Sequence, residues 1–153
     1  MRHVPPTALS APMQRAMGRV RLSAKVRDGR TVIDRLHQAG CGKARMPRTE
    51  GFEAVILNTS GGLTGGDRIE VEIEAAPGAR VTAASQTAER VYRALAGAAE
   101  VRNRLVLGAG ARLDWLPQET ILFDGGRLDR RLEVEMAEGA TLLAVEPLVL
   151  GRA

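Results

Sequence analysis

Apolar and polar residues alternate along much of the chain, with the period of two that is typical of half-buried strands. In RVRLSAKVR, residues 19–27, apolar or small residues fill every second position, and basic or small polar residues fill the others. RIEVEIEA, residues 68–75, places isoleucine and valine on one face and glutamate on the other. FEAVILN, residues 52–58, is predicted to be a more fully buried strand. The pattern therefore predicts a mainly β fold.

Turn signals separate these strands. Asp28-Gly29 follows the first strand and predicts a hairpin into RTVIDRLH. The glycine loop, NTSGGLTGGDR at residues 58–68, joins two predicted strands, and its glycines suit a tight corner that Asp67 is expected to cap. Residues 86–97 have helical spacing and are left open between a helix and other structure, so at most one or two short helices are expected.

The second half of the chain contains an apparent repeat. PGARVTAASQ, AGARLDWLPQ and EGATLLAVEP each begin with a Gly-Ala turn and continue as an apolar strand. The turn glycines are Gly78, Gly110 and Gly139, and an alternating strand precedes each of them. We interpret this as a repeated unit of strand, tight turn and return strand, although glycine-turned β proteins also produce such echoes by chance.

Length and composition favour one globular domain. The chain has 153 residues, of which 44% are apolar and 26% are charged. We expect a flexible N-terminal tail at residues 1–18 and a β domain at residues 19–153. No run of apolar residues is long enough to span a membrane. The single cysteine, Cys41, allows no internal disulfide and suits a reducing compartment, so we expect a cytoplasmic protein.

Positive charge is concentrated at the N-terminal end. Residues 1–50 contain eleven lysines and arginines against three acidic residues. Nucleic acid would be one possible partner, but the chain has only four aromatic side chains on which bases could stack. We therefore expect an acidic protein partner rather than nucleic acid.

Enzymatic chemistry finds little support in the residues. Gly61 and Gly66 have P-loop spacing, but Asp67 and Arg68 stand where that motif needs lysine and serine or threonine. His37 and Cys41 are four residues apart, yet no nucleophile turn surrounds Cys41, so a structural histidine is favoured over a catalytic one. The sequence therefore predicts a protein that is not an enzyme.

Metal chemistry would depend on oxygen ligands, because one cysteine and two histidines cannot form a closed tetrahedral site. Carboxylates and amides occur beside unusually apolar segments, where they either bind a cation or satisfy turns and strand-end amides. These alternatives stay open at this point. The side chains concerned are Asp67, Glu119, Asp124, Glu146, Gln86 and Gln118.

Several stretches together resemble the urease accessory protein family UreD, called UreH in some organisms. They are LNTSGGLTGGDRIEVEIE (57–74), SQTAERVYR (85–93), LPQETILFDGGRLDRRLEVE (116–135) and VEPLVLGR (145–152), with GCGKARMPR (40–48) upstream. The resemblance runs from about Arg19 to the end. The glycine loop is among its most distinctive segments, and the family-motif positions in this loop are Asn58, Thr59, Gly61, Gly62, Gly65 and Gly66.

The resemblance implies a nickel-insertion chaperone for urease. Such proteins act with the accessory protein UreF and the GTPase UreG on apo-urease, and GTP hydrolysis in UreG drives nickel delivery. The implied fold consists of stacked antiparallel or β-helix-like layers with strand-turn-strand repeats. A polar passage through the protein would carry nickel transiently, with no tightly bound cofactor. The glycine loop would form part of this passage or of the UreF-facing surface.

A conduit must bind its ion weakly at several places, because the ion has to enter and to leave. We therefore expect Asp67, Glu119, Asp124 and Glu146 to line or gate the passage, with Gln86 and Gln118 as neutral polar steps. Family members are considerably longer, so the domain is expected to be incomplete at its C-terminus. The alternative function is a β scaffold for protein interactions without metal transit, as a truncated and inactive family member.

Overall fold

The computed structural model describes residues 14–151, and this part of the chain contains strands and no helix. The strands are β1 (Met17–Arg27), β2 (Arg30–Gly40), β3 (Gly42–Arg45), β4 (Phe52–Asn58), β5 (Arg68–Ala75), β6 (Arg80–Ser85), β7 (Glu89–Val91), β8 (Ala99–Leu107), β9 (Arg112–Leu116), β10 (Thr120–Leu122), β11 (Leu128–Met136), β12 (Thr141–Ala144) and β13 (Leu148–Leu150). Of the expected tail at residues 1–18, residues 1–13 lie outside the described part. No described helix is long and apolar enough to cross a membrane.

The strands form three sheets that wrap around a common interior. Sheet 1 has the order β11-β8-β5-β1-β2, sheet 2 the order β12-β9-β6-β4-β3, and sheet 3 the order β13-β10-β7. Each turn of the chain gives one strand to each sheet, so the strands β5 to β13 form a β-solenoid of about three coils. The predicted mainly β fold with stacked layers is confirmed. Among the described strands, the antiparallel pairs are β1–β2 and β3–β4, and the strands of successive coils pair in parallel.

The predicted repeat is confirmed by the strand register. Arg80 pairs with Arg112, and Arg112 pairs with Thr141, so successive coils superpose the strands that follow the Gly-Ala turns. The turns also stack, because the amide of Gly78 donates to the carbonyl of Ala109 at 3.0 Å. All three turn glycines have positive φ, at 72°, 64° and 70°, which glycine adopts without steric cost.

The predicted hairpin is also confirmed. Asp28 and Gly29 have φ values of 51° and 73°, and the flanking residues Arg27 and Arg30 pair across β1 and β2. Positive φ at both central residues matches the right-handed twist of the two strands.

Residues 86–97, whose helical spacing left their structure open, contain the short strand β7. Its residues pair in parallel with Thr120–Leu122 of the next coil, from Glu89 to Val91. Val91 is fully buried. Tertiary pairing therefore overrides the local helical spacing in this segment.

The core lies between the inner faces of sheets 1 and 2, in the first two coils. Ile73 and Leu105 from sheet 1 and Leu113 from sheet 2 have no exposed surface. The third coil is less covered, since Met136 and Leu143 remain 48% and 46% exposed.

Candidate functional site

A cavity of about 180 Å³ lies between the three sheets. Its apolar lining comes from inward-facing core positions such as Ile56 of β4, Val71 of β5 and Val101 of β8. Polar side chains interrupt this lining where the coils turn and where the third coil begins. They include Asn58, Gln86, Glu89, Asn103, Gln118 and Arg130.

Glu146 is the centre of a polar cluster at one side of this cavity. Its Oε1 accepts hydrogen bonds from Trp115 Nε1 at 2.8 Å and from Asn103 Nδ2 at 3.4 Å. Arg130 grips the same carboxylate with both oxygens engaged, at 2.7 Å to Oε1 and 3.2 Å to Oε2. Burial alone raises the pKa of Glu146, but these hydrogen bonds outweigh it, so the pKa lies below its ordinary value.

Two members of the cluster lie at the alternating strand positions that face the core. Asn103 stands in the inward row of β8, between Val101 and Leu105, and is only 3% exposed. Trp115 stands in the inward row of β9 and is equally buried. A buried amide in an apolar row is costly unless it is hydrogen-bonded. Asn103 was not among the residues predicted from the sequence, although it interrupts the apolar positions of the alternating segment AEVRNRLVL.

Glu89 brings a second carboxylate into the cavity. Asn58 Nδ2 lies 3.2 Å from each of its two oxygens, and Ser60 Oγ donates in turn to Asn58 Oδ1 at 2.6 Å. Burial raises the pKa of Glu89, although the hydrogen bond from Asn58 and the charge of Arg130 act in the opposite direction. The sequence analysis missed Glu89 because it lies in the segment whose pattern was ambiguous.

Arg130 connects the two carboxylates. Besides gripping Glu146, its Nη1 donates to Thr120 Oγ1 at 3.2 Å, and its charge acts on Glu89. The Glu89 carboxylate and the Arg130 guanidinium therefore line the cavity together with neutral amides, and the Glu146 carboxylate lies beside it. Carboxylate and amide oxygens are ligands that a cation can use, but the guanidinium of Arg130 is bound to one of these two carboxylates.

The six predicted passage residues do not all lie at the cavity. Gln86 and Gln118 line the cavity, and Glu146 forms the cluster beside it. Glu119 is half-buried, and its backbone carbonyl accepts from the amide of Glu89 at 2.9 Å. Asp124 is exposed, is paired with Arg93 and does not line the cavity.

Asp67 caps the glycine loop, as predicted. It is 5% exposed, and its two oxygens accept from the amides of Ala16 and Thr64, each at 2.8 Å. The carboxylate thereby fixes the loop to the segment that leads into β1. Asp67 does not line the cavity. A part for Asp67 in ion transit stays a prediction.

The histidine and cysteine considered as metal ligands or nucleophiles do not line the cavity. Within residues 14–151, no group of three or more histidine, cysteine, aspartate and glutamate side chains could hold a metal ion. His37 is exposed in β2 opposite Arg21, while Cys41 lies half-buried in the turn between β2 and β3. Burial raises the pKa of the Cys41 thiol, which disfavours the nucleophilic thiolate.

The glycine loop lies beside β7, the sheet 3 strand of the first coil. Leu63 is 1% exposed and forms a parallel bridge with Val91, through hydrogen bonds of 2.7 Å and 2.8 Å to the residues on either side of it. Gly65 makes a close approach, because a Cβ atom there would overlap the carbonyl oxygen of Ala96. The loop is therefore a backbone corner packed against the next coil.

Gly65→Ala is expected to lower the free energy of unfolding by about 1–3 kcal/mol, because the new methyl group would push against backbone. Gly51→Ala is the matched control, since nothing lies within 4 Å of a Cβ at that position. The control should change stability by less than about 0.5 kcal/mol. Urea denaturation followed by circular dichroism measures both, and equal stabilities would contradict the close packing of the loop.

Comparisons with known proteins agree on one family. A family model described as UreD urease accessory protein matches residues 16–153. Proteins named urease accessory protein UreD from Chelativorans sp. (strain BNC1) and Rhizobium etli are 52% and 54% identical over 147 and 141 residues. These alignments cover 95% and 91% of this chain, but 53% and 52% of those proteins. The UreD of Brucella suis is 49% identical over 146 residues, which are 94% of this chain and 52% of that protein. The chain thus spans about half the length of the curated relatives it matches.

Proposed function

The chain belongs to the UreD family of urease accessory proteins, and from this membership we propose that it serves urease maturation by passing nickel through its polar interior. The observation that carries the proposal is the cavity inside the solenoid with Glu89 in its lining and Glu146 beside it. Nickel is the cargo here and not a resident cofactor.

The chemistry of the cavity suits weak, transient binding. Nickel(II) binds tightly where imidazoles or thiolates converge, whereas carboxylate and amide oxygens hold it less firmly. Glu89, Asn58 and the two glutamines Gln86 and Gln118 offer only oxygen ligands. An ion that is held weakly at several points can be handed on, which a conduit requires.

UreF, UreG and apo-urease are the proposed partners, in the cytoplasm. The excess of lysine and arginine in residues 1–50 supports contact with acidic protein surfaces. The single cysteine, Cys41, supports a reducing compartment.

A second candidate function is a β scaffold that assembles urease partners without conducting metal. One observation favours it: the guanidinium of Arg130 already occupies the Glu146 carboxylate, at 2.7 Å. A scaffold would keep the three-coil shape and the outer surface but would not need the polar lining. The two functions therefore differ in their dependence on the interior carboxylates.

Glu89→Gln tests the passage, because it keeps the size of the side chain and removes its charge. We expect the nickel content and activity of urease to fall at least about tenfold when urease and its accessory proteins are produced together at limiting nickel. Glu138→Gln, the same change at an exposed turn, is the matched control. The contrary outcome is that urease produced with the Glu89→Gln accessory protein carries as much nickel as urease produced with the Glu138→Gln control, at equal accessory protein levels. That result would rule out the passage and favour the scaffold.

A further inference from the structure

Arg130 holds an unusual position for a basic residue in a proposed cation path. It lies near the start of β11, lines the cavity, and its side chain is only 19% exposed. Its guanidinium contacts Glu146 in a bidentate manner and reaches Thr120 Oγ1 at 3.2 Å. The positive charge of Arg130 therefore lies at the wall of the cavity.

That charge opposes the entry of any cation. Charges interact more strongly in a partly buried interior than in water, and like charges repel there to the same degree. A divalent cation approaching Glu146 would meet the guanidinium at the same oxygen. With Arg130 bound to Glu146, the charge of this carboxylate is already neutralised.

Release of Arg130 would leave other contacts to Glu146 in place. Glu146 keeps two other donors, Trp115 Nε1 at 2.8 Å and Asn103 Nδ2 at 3.4 Å. Asn103 itself is 3% exposed and lines the cavity. These two donors would therefore hold the carboxylate in place beside the cavity for an incoming cation.

We propose that Arg130 is the gate of the passage: its guanidinium occupies the Glu146 carboxylate in the resting protein, and a nickel ion replaces it there during transit. The proposal rests on the proposed nickel passage and adds its regulation. The guanidinium acts as an internal counterion that neutralises the Glu146 carboxylate in the resting protein. Only a cation with a higher charge and oxygen affinity displaces it.

Trp115 is a reporter for this exchange, because it is the single tryptophan of the chain and donates to the gated carboxylate. Titration of the purified chain with nickel chloride should quench its fluorescence. In Arg130→Gln, half-maximal quenching should occur at a nickel concentration at least about tenfold lower, because the competing charge has been removed. Arg130→Lys keeps the charge but loses the bidentate grip, and should lie between the two.

Arg130→Gln/Glu146→Gln is the matched control, since it removes both charges and keeps the side-chain sizes. It should lose the gain in nickel affinity, and thermal unfolding should show that each variant is folded. Unchanged or weaker nickel binding by folded Arg130→Gln would overturn the gate, as would a gain that persists in the double variant. If Arg130→Gln did not fold, Arg130→Lys would decide, since binding equal to that of the unaltered protein would contradict the gate. A different result would contradict the passage itself, namely that the nickel content of urease is unchanged when it is produced with the Glu89→Gln variant.

Discussion

Replacing Asp67 by alanine is expected to lower the free energy of unfolding by about 2–4 kcal/mol, because two backbone amides lose their acceptor. The amides of Ala16 and Thr64 each lie 2.8 Å from a carboxylate oxygen of Asp67, and the side chain is almost completely buried. Alanine leaves room but no oxygen at this position. Urea denaturation of the purified chain would measure the loss.

Asp124→Ala is the natural control, because sequence analysis assigned both aspartates the same role. Asp124 is exposed and pairs with Arg93 at the surface, where an ion pair contributes no more than about 1 kcal/mol. A loss of stability in Asp67→Ala that does not exceed the loss in Asp124→Ala would contradict the capping role. Asp67→Asn should fall between the two, because its amide keeps one acceptor oxygen.

Trp115→Ala is expected to have the largest effect on stability, at about 3–5 kcal/mol. The ring is 3% exposed at the inward face of β9, and it lines the existing cavity. Removing it would enlarge that cavity and leave Glu146 with one donor fewer. The thermal midpoint and the urea midpoint should both fall, with the three-coil β structure retained at low temperature.

Trp115→Phe separates packing from hydrogen bonding at the same position. Phenylalanine keeps most of the apolar volume but has no Nε1 donor for Glu146, so we expect a loss of about 1–2 kcal/mol. A Trp115→Phe variant as unstable as Trp115→Ala would show that the hydrogen bond, and not the packing, dominates. Near-equal stability of Trp115→Phe and the unaltered chain would contradict a role for that bond.

Local sequence signals were sufficient for the turns and for the repeat. Asp28-Gly29 specified the hairpin through its backbone preference, and the glycines at 78, 110 and 139 marked equivalent turns of successive coils. The alternation in residues 68–75 predicted which side chains of β5 face the core. Such signals are local, because each depends on a few neighbouring residues. They do not state which strands pair, so the three sheets and their parallel pairing emerged only from the structure.

The interior cluster illustrates what local patterns cannot show. Glu146 receives hydrogen bonds from residues 16, 31 and 43 positions away in the sequence, which meet only because the coils stack. The sequence identified Glu146 as a carboxylate in an apolar setting, but not Arg130 or Glu89. Asp67 was predicted both to cap the glycine loop and to line the passage, and its hydrogen bonds show the cap. A turn cap can therefore be read from local sequence, whereas a cluster of side chains from several coils cannot.

The most direct test of a nickel path through the interior is to locate the ion. Crystals of the protein soaked with nickel chloride would be measured at the nickel absorption edge, and an anomalous difference map would show where nickel binds. We expect a peak inside the cavity, contacted by the carboxylate of Glu89 or Glu146, and a stronger peak in Arg130→Gln. Nickel bound only at surface carboxylates such as Asp124, with no peak in the cavity of either protein, would contradict it.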